Sequence, residues 1–218
     1  MIEHHLPENF LLDYAAGSLA EPESVVVASH LSMCGTCNER VELLESVAGN
    51  LLDEEESVSL DFGAFDTVLQ KIDLSDDEPA SVSVKTLNAD TRKIIPPPLR
   101  DYLENDLDEL SWRFIGSGIR EAILVKDGEI RLSLIKIRPG GKVPTHTHEG
   151  EEFTLILHGA YTEGERRFAK GDLAIADANV DHAPVVDDDE YCLCLALFKG
   201  PVRMTGPIGR LINPLIRG

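Results

Sequence analysis

The sequence predicts an α+β protein in which a small helical domain is followed by an antiparallel β-barrel or jelly roll. Three observations support this prediction. Apolar residues recur at helical spacing over about the first 75 residues and at a spacing of two from about residue 110. Each half contains its own cluster of metal-binding residue types. The negative charge is concentrated in the first half.

Residues 1–78 are predicted to form a helical metal-binding domain. Pro7 and Pro22 each suit the first turn of a helix, where a backbone N–H is not needed. A third helix is expected over residues 40–52, after a bend at Gly35, because its apolar residues fall on one face. A fourth amphipathic segment follows an acidic break, and its apolar side carries Phe62, Phe65, Leu69 and Ile72.

Residues 79–98 are predicted to be a linker, and residues 99–218 to form the second domain. The linker is polar and ends in three consecutive prolines. In the second domain, Asp127-Gly128 between two strand-like segments, 119–126 and 130–137, is typical of a β-hairpin. Further strands are expected over residues 153–157, 161–168, 172–176 and 191–198. Short strands separated by regular turns are typical of an antiparallel barrel or jelly roll.

The net charge of −19 lies mainly in the first 80 residues, which hold 18 acidic residues and two basic ones. This acidity disfavours direct binding to nucleic acids, because their phosphates would repel it. It can complement a basic protein surface, or simply raise solubility. No segment has the roughly 18 apolar residues that span a bilayer, and the N-terminus lacks the pattern of a secretory signal. We therefore expect a cytoplasmic protein with no membrane segment.

One cluster of metal-ligand residue types is His30-x3-Cys34-x2-Cys37. Residues four and seven positions apart return to the same side of a helix, so these side chains can reach one centre. Two thiolates and one imidazole suit Zn²⁺, which takes four ligands in a structural site. The nearby candidates for the fourth ligand are His4 and His5. The alternatives are two reduced cysteines in a helical core, or a redox CxxC pair.

The second domain contains two spaced sets of glycine, histidine and acidic residues. They are Gly140-x5-His146-x-His148-x3-Glu152-x6-Gly159 and Gly171-x5-Asp177-x-Asn179-x2-His182. Their spacing resembles that of the two cupin motifs, with Asp177 and Asn179 where the cupin pattern commonly has Pro and Gly. His146 and His148 are two positions apart on a strand, so they share a face. Together with Glu152 and His182 they offer three imidazoles and a carboxylate, which suit Zn²⁺, Fe²⁺, Mn²⁺ or Ni²⁺.

The N-terminal residues resemble the zinc-binding anti-sigma domain of the ChrR family. The resemblance rests on His5 and, 25 residues later, His30, followed by Cys34 and Cys37. In that family these four residues bind zinc, so the resemblance makes His5 the fourth ligand. A cupin-like domain follows the anti-sigma domain in the family, as it does here, so the resemblance covers almost the whole chain.

The resemblance implies an anti-sigma factor and not an enzyme. Its partner would be a group IV (extracytoplasmic-function) sigma factor, bound as a 1:1 heterodimer and kept from core RNA polymerase. The cupin domain would hold zinc or another divalent metal through His146, His148, Glu152 and His182. It would release the sigma factor when singlet oxygen or organic hydroperoxides appear.

Other interpretations stay open at this point. A cupin metalloenzyme of the dioxygenase type, with an accessory zinc domain, would use the same four ligands, whereas a simple binding module would leave the N-terminal cluster unexplained. Cys192 and Cys194 are either two buried thiols or an oxidation-sensitive pair. The apolar side formed by Phe62, Phe65 and Leu69 either binds the partner or packs on its own domain.

Overall fold

The N-terminal region is helical, as the sequence predicts. The structure, a computed structural model, describes residues 1–73 and 86–205. Its first four helices are α1 (Glu8–Ala15), α2 (Glu21–Leu31), α3 (Gly35–Asp53) and α4 (Ala64–Asp73). Pro22 lies in the first turn of α2, where the Glu23 carboxylate accepts a hydrogen bond from the backbone N–H of Ala20 at 3.0 Å. This bond satisfies one of the backbone donors that a helix start leaves free.

Helix α3 begins earlier than the sequence predicts. Gly35 is its first residue and not a bend. The turn between α2 and α3 is only three residues long, 32–34. Its last residue, Cys34, has an extended backbone (φ −113°), and α3 begins at the next residue. The backbone N–H of Cys34 donates to the carbonyl of His30 at 2.9 Å, which closes this turn. Cys37 therefore lies in the first turn of α3.

Helix α4 lies on the surface. None of its residues is buried. Phe65 and Ile72 of α4, and Phe62 just before it, are all exposed. Among the described residues, no helix is both long enough and apolar enough to cross a membrane. Phe62, Phe65 and Leu69 therefore face solvent.

The described part of the predicted linker is folded. Residues 74–85 lie outside the described residues. Beyond them, α5 (Ala89–Ile94) is capped by Asn88, whose side-chain oxygen accepts a backbone N–H at 2.8 Å, and a 3-10 helix spans Pro97–Tyr102. The side chains of this segment that are fully buried are Ile95, Leu99 and Leu103. These three residues belong to the core cluster that also contains residues of the helices and of the sheet. The limits of the two domains stay predictions.

Antiparallel strands form most of the second half. They are β1 (Arg113–Gly116), β2 (Ile119–Asp127), β3 (Ile130–Ile137), β4 (His146–His148), β5 (Glu152–His158), β6 (Ala160–Glu163), β7 (Arg166–Ala169), β8 (Leu173–Ala176), β9 (Val185–Val186), β10 (Cys192–Lys199) and β11 (Val202–Met204). A six-stranded sheet has the order β1-β2-β3-β10-β5-β8, a three-stranded sheet the order β7-β6-β9, and β4 pairs with β11. The strands form a jelly roll and not a closed barrel.

Two glycine turns decide how the strands connect. Gly128 (φ +56°) lies in the predicted hairpin between β2 and β3. The segment 161–168, predicted as one strand, is the β6–β7 hairpin, because Gly164 (φ +61°) reverses the chain within it. A positive φ is accessible to glycine at little cost, which is why the chain turns at these two positions. The strands β1, β9 and β11 show no clear alternating pattern in the sequence and were not predicted.

The central strand β10 of the six-stranded sheet is buried on both faces. Cys192 and Cys194 of β10 pack with Phe168 of β7 in the core between the sheets. The intervening residues of β10 point the other way, because side chains alternate along a strand. Leu195 of β10 and Val26 of α2 belong to the core cluster on that opposite side. The helices and the sheet therefore share one hydrophobic core.

Polar and aromatic contacts reinforce the packing of helices on the sheet. Lys199, at the end of β10, forms ion pairs with Glu23 of α2 and with Glu151, the latter at 3.0 Å. The rings of Phe10 in α1 and Phe153 in β5 meet edge to face, with 4.8 Å between centroids. These contacts fix α1 and α2 against the sheet that carries Glu152.

Candidate metal centres

The first candidate centre lies where the N-terminal segment meets the α2–α3 turn. His30 is at the end of α2, Cys34 and Cys37 flank the start of α3, and His5 approaches from the segment before α1. His5 Nδ1 lies 3.2 Å from Cys34 Sγ and 3.5 Å from Cys37 Sγ, and His30 Nε2 lies 3.3 Å from Cys37 Sγ. The four ligand atoms all lie within 4.8 Å of one another. The structure thus brings together the four residues that the sequence singled out.

The spacing of these atoms fits a tetrahedral metal ion. Bond lengths to zinc place nitrogen and sulfur ligands about 3.5 Å apart around one ion. The three nitrogen–sulfur distances, 3.2, 3.3 and 3.5 Å, lie at or just below that value. His4 is not part of the group, because its Nε2 lies 3.1 Å from the carbonyl oxygen of Arg167 and its ring stacks on Phe168.

The electrostatics of the first centre also suit a cation. Burial lowers the pKa of His30 to about 4, so its imidazole is neutral, which is the form that binds a metal. Burial, and then the neighbouring Cys34 thiol, raise the pKa of the Cys37 thiol to about 11. A thiol with such a pKa is protonated at neutral pH and becomes a thiolate when a cation replaces its proton.

The second candidate centre lies between β4, β5 and the loop after β8. His146 and His148 lie on β4, Glu152 begins β5, and His182 is held beside His146 by two backbone hydrogen bonds of 3.0 and 3.1 Å. His148 Nε2 lies 2.9 Å from His182 Nε2 and 2.7 Å from Glu152 Oε2. The four ligand atoms again lie within 4.8 Å of one another, and all four residues are buried.

The Glu152 carboxylate supports a metal-binding role for this centre. Its Oε1 accepts a hydrogen bond from Thr154 Oγ1 at 2.8 Å. Its Oε2 is buried and, among the described residues, has no hydrogen-bond donor in acceptable geometry, although His148 Nε2 is only 2.7 Å away. A buried carboxylate oxygen without a donor is costly, and a cation at the point where these lone pairs meet would satisfy it.

Outer hydrogen bonds orient two imidazoles of the second centre. His146 Nδ1 donates to the carbonyl of Pro144 at 2.8 Å, and His182 Nδ1 lies 3.4 Å from Glu163 Oε2. Each bond leaves Nε2 free to face the centre, as in metal sites where a second partner fixes the ring. Burial, and then the nearby His182, lower the pKa of His146, which favours its neutral form.

Comparisons with known proteins cover both halves of the chain. A family model described as the ChrR cupin-like domain matches residues 103–203. The anti-sigma-E factor ChrR of Cereibacter sphaeroides is 39% identical over 216 residues, which is 99% of this chain and 99% of that protein. The chain belongs to the ChrR family.

A chain in the crystal structure of Rhodobacter sphaeroides SigE in complex with the anti-sigma ChrR is also similar. It is 36% identical with a TM-score of 0.75, over 91% of this chain and 100% of that chain. The resemblance and the fold class predicted from the sequence are confirmed.

The other candidate residues of this ChrR-family chain belong to neither group of metal-ligand atoms. Phe62, Phe65 and Leu69 are exposed on and beside α4. Cys192 and Cys194 are buried, with 3.5 Å between their sulfur atoms.

Sequence reasoning missed two residues next to the centres. Glu163 holds His182, and Asp172 holds the segment that leads to His5. Asp172 follows the glycine that opens the second cupin motif, and that adjacency was the available signal. Glu163 is the last residue of β6 and belongs to neither motif.

Proposed function

We propose that this chain is an anti-sigma factor that binds a group IV sigma factor as a 1:1 heterodimer in the cytoplasm. The match over nearly the full length to the anti-sigma-E factor ChrR carries this proposal. The similar chain from the SigE–ChrR complex supports a sigma factor as the partner. The family relationship favours a regulator over an enzyme.

The docking surface that we propose is the apolar side of α4 with the exposed apolar side of α3. On and beside α4 it comprises Phe62, Phe65 and Leu69. The exposed apolar residues of α3 are Leu43, Val47, Leu51 and Leu52. Exposed apolar residues along water-exposed helices are typical of a protein-binding site. Acidic residues surround it, which favours a partner with a basic surface.

The first metal centre would keep the helices in their binding arrangement. Its ligands come from the segment before α1, the end of α2 and the start of α3, so one ion would tie three elements together. We propose Zn²⁺ for this centre, because two cysteines and two histidines form a common structural zinc set. A zinc ion bound there would supply folding free energy to a small helical region.

We propose that the cupin domain is the sensor for singlet oxygen or organic hydroperoxides, with Zn²⁺ or another divalent metal at the second centre. The hydrophobic core shared by the sheet and the N-terminal helices supports transmission of a structural change from the cupin domain to those helices. The sheet that carries Glu152 packs directly on the helical region, so a rearrangement of the sheet would move α2.

A dioxygenase-type enzyme receives less support. The cavity at the second centre is lined by Tyr161, Glu163 and His182, among others, and its volume is about 20 Å³. Such a volume holds about one water molecule. Among the described residues, this cavity is therefore too small to enclose a substrate of ordinary size beside the ligands.

The test is capture of the cognate sigma factor by the full-length protein, with matched aromatic variants. Phe65 in α4 and Phe114 in β1 are almost equally exposed, 73% and 72%. We expect Phe65→Asp to weaken sigma binding about 30-fold, as expected for a central aromatic residue of an interface. We expect Phe114→Asp to bind as the wild type does. Failure of the zinc-loaded wild type to bind any sigma factor would contradict the proposed function.

A further inference from the structure

We propose that the cupin turn formed by residues 169–173 completes the first metal centre by positioning two of its ligands, His5 and His30. This inference rests on the proposed metal-binding role of the first centre. It makes Asp172 and the carbonyl of Gly171 outer partners of a centre whose four ligands all come from the helical region.

The first step concerns His30. Its Nδ1 donates a hydrogen bond of 2.9 Å to the carbonyl oxygen of Gly171, which lies 141 residues further along the chain. A carbonyl can only accept, so the proton is on Nδ1, and Nε2 presents its lone pair toward Cys37. His30 is fully buried, so no water can replace this partner. The turn therefore fixes both the tautomer and the ring orientation of one ligand.

The second step concerns His5. The Asp172 carboxylate accepts backbone hydrogen bonds from Glu3 at 2.7 Å and from His4 at 3.0 Å through the same oxygen, Oδ1. The backbone N–H of Leu173 donates to the carbonyl of His4 at 3.1 Å. These bonds hold the two residues before His5, in a segment without regular structure of its own.

The turn itself is rigid enough to serve as a support. Asp172 Oδ2 accepts the backbone N–H of Ala169 at 2.8 Å, and two backbone bonds join residues 171 and 172 to Ile156 of β5. Asp172 is only 3% exposed. A buried carboxylate with three backbone donors is firmly held, because each donor that is removed leaves the buried charge less well compensated.

Gly171 shows how closely the two regions approach. Its φ is +94°, and a Cβ atom there would lie 2.6 Å from Ile2 Cδ1. The same turn begins β8, and the last residue of β8, Ala176, pairs with Glu152 of the second centre. One short strand thus connects the partners of the first centre with a ligand of the second.

The test measures metal affinity of the full-length protein with Co²⁺ as the probe. Charge-transfer absorption between thiolate and Co²⁺ reports the first centre alone, since the second offers only nitrogen and oxygen ligands. We expect Asp172→Asn to lower the Co²⁺ affinity of the first centre 10- to 100-fold, roughly the loss typical of outer-partner mutations. The matched control is Glu121→Gln, because the Glu121 carboxylate is buried to a similar degree (1% exposed). Its hydrogen-bond partners, Arg113 and Ser133, belong to neither metal centre.

A second pair of variants leaves Asp172 unchanged. Glu3→Pro removes one backbone donor to the carboxylate, whereas Glu3→Ala keeps it. We expect about a fivefold loss of affinity for the proline variant, the typical contribution of one hydrogen bond, and none for the alanine variant.

The inference is overturned if both Asp172→Asn and Glu3→Pro bind Co²⁺ within twofold of the wild type. It is also overturned if Glu121→Gln weakens binding as much as Asp172→Asn, since the effect would then reflect general destabilisation. Absence of the thiolate–Co²⁺ absorption in the wild type would instead contradict the proposed metal centre itself.

Discussion

Leu195 offers a direct test of the shared core. It is fully buried (0% exposed), in the middle of β10, and belongs to the cluster that joins the sheet to the N-terminal helices. Leu195→Ala removes three carbon atoms from a site closed on all sides, which costs about 3 kcal/mol of unfolding free energy. For a chain of this length, that loss lowers Tm by about 6–12 °C.

Two probes separate the helical region from the sheet in the same experiment. Trp112, the only tryptophan of the chain, reports the β region by fluorescence, and thiolate–Co²⁺ absorption reports the first metal centre. We expect both signals to be lost at the same temperature and to shift together in Leu195→Ala. Leu12→Ala, at a position 52% exposed on α1, is the matched control and should change Tm little. A shift of the Trp112 transition alone would refute the shared core.

Two further predictions concern the metal centres. His182→Ala should leave sigma binding intact and weaken signal-dependent release, because it removes a ligand of the second centre only; loss of sigma binding in a capture assay would contradict this division of roles. The Zn²⁺ affinity of the first centre should fall about tenfold or more per unit as pH is lowered from about 8 to 6, because binding displaces the proton of the Cys37 thiol. That thiol has a pKa of about 11 and is protonated throughout the range, whereas His30, with a pKa of about 4, contributes no proton. Chelator competition measures this slope, and an affinity independent of pH would argue against thiolate ligation.

The sequence was informative where spacing alone determines geometry. Residues two apart on a strand share a face, so His146 and His148 could be placed together before the fold was known. The alternation from residue 119 and the turn at Gly128 likewise predicted the β2–β3 hairpin. Helical spacing predicted four helices, although the start of α3 at Gly35 depends on the extended backbone of Cys34, which no pattern in the sequence indicates.

Contacts between distant parts of the chain were the part that spacing could not reveal. The run of buried residues in β10 shows that both faces of this strand are covered by apolar groups. It does not show which part of the chain covers each face, so the packing of the N-terminal helices on the sheet could not be predicted. The bonds from Asp172 to Glu3 and His4 span more than 160 residues. Such pairings depend on how the two regions dock, and a single sequence holds no record of that docking.

The most direct test of the central claim is native mass spectrometry of the full-length chain purified together with its cognate sigma factor. The account predicts one copy of each protein and two metal ions in the complex. It also predicts that Cys34→Ala loses one metal ion and the sigma factor together. A chain that carries both metal ions but no sigma factor, or a Cys34→Ala variant that keeps the sigma factor without the first metal, would contradict the account.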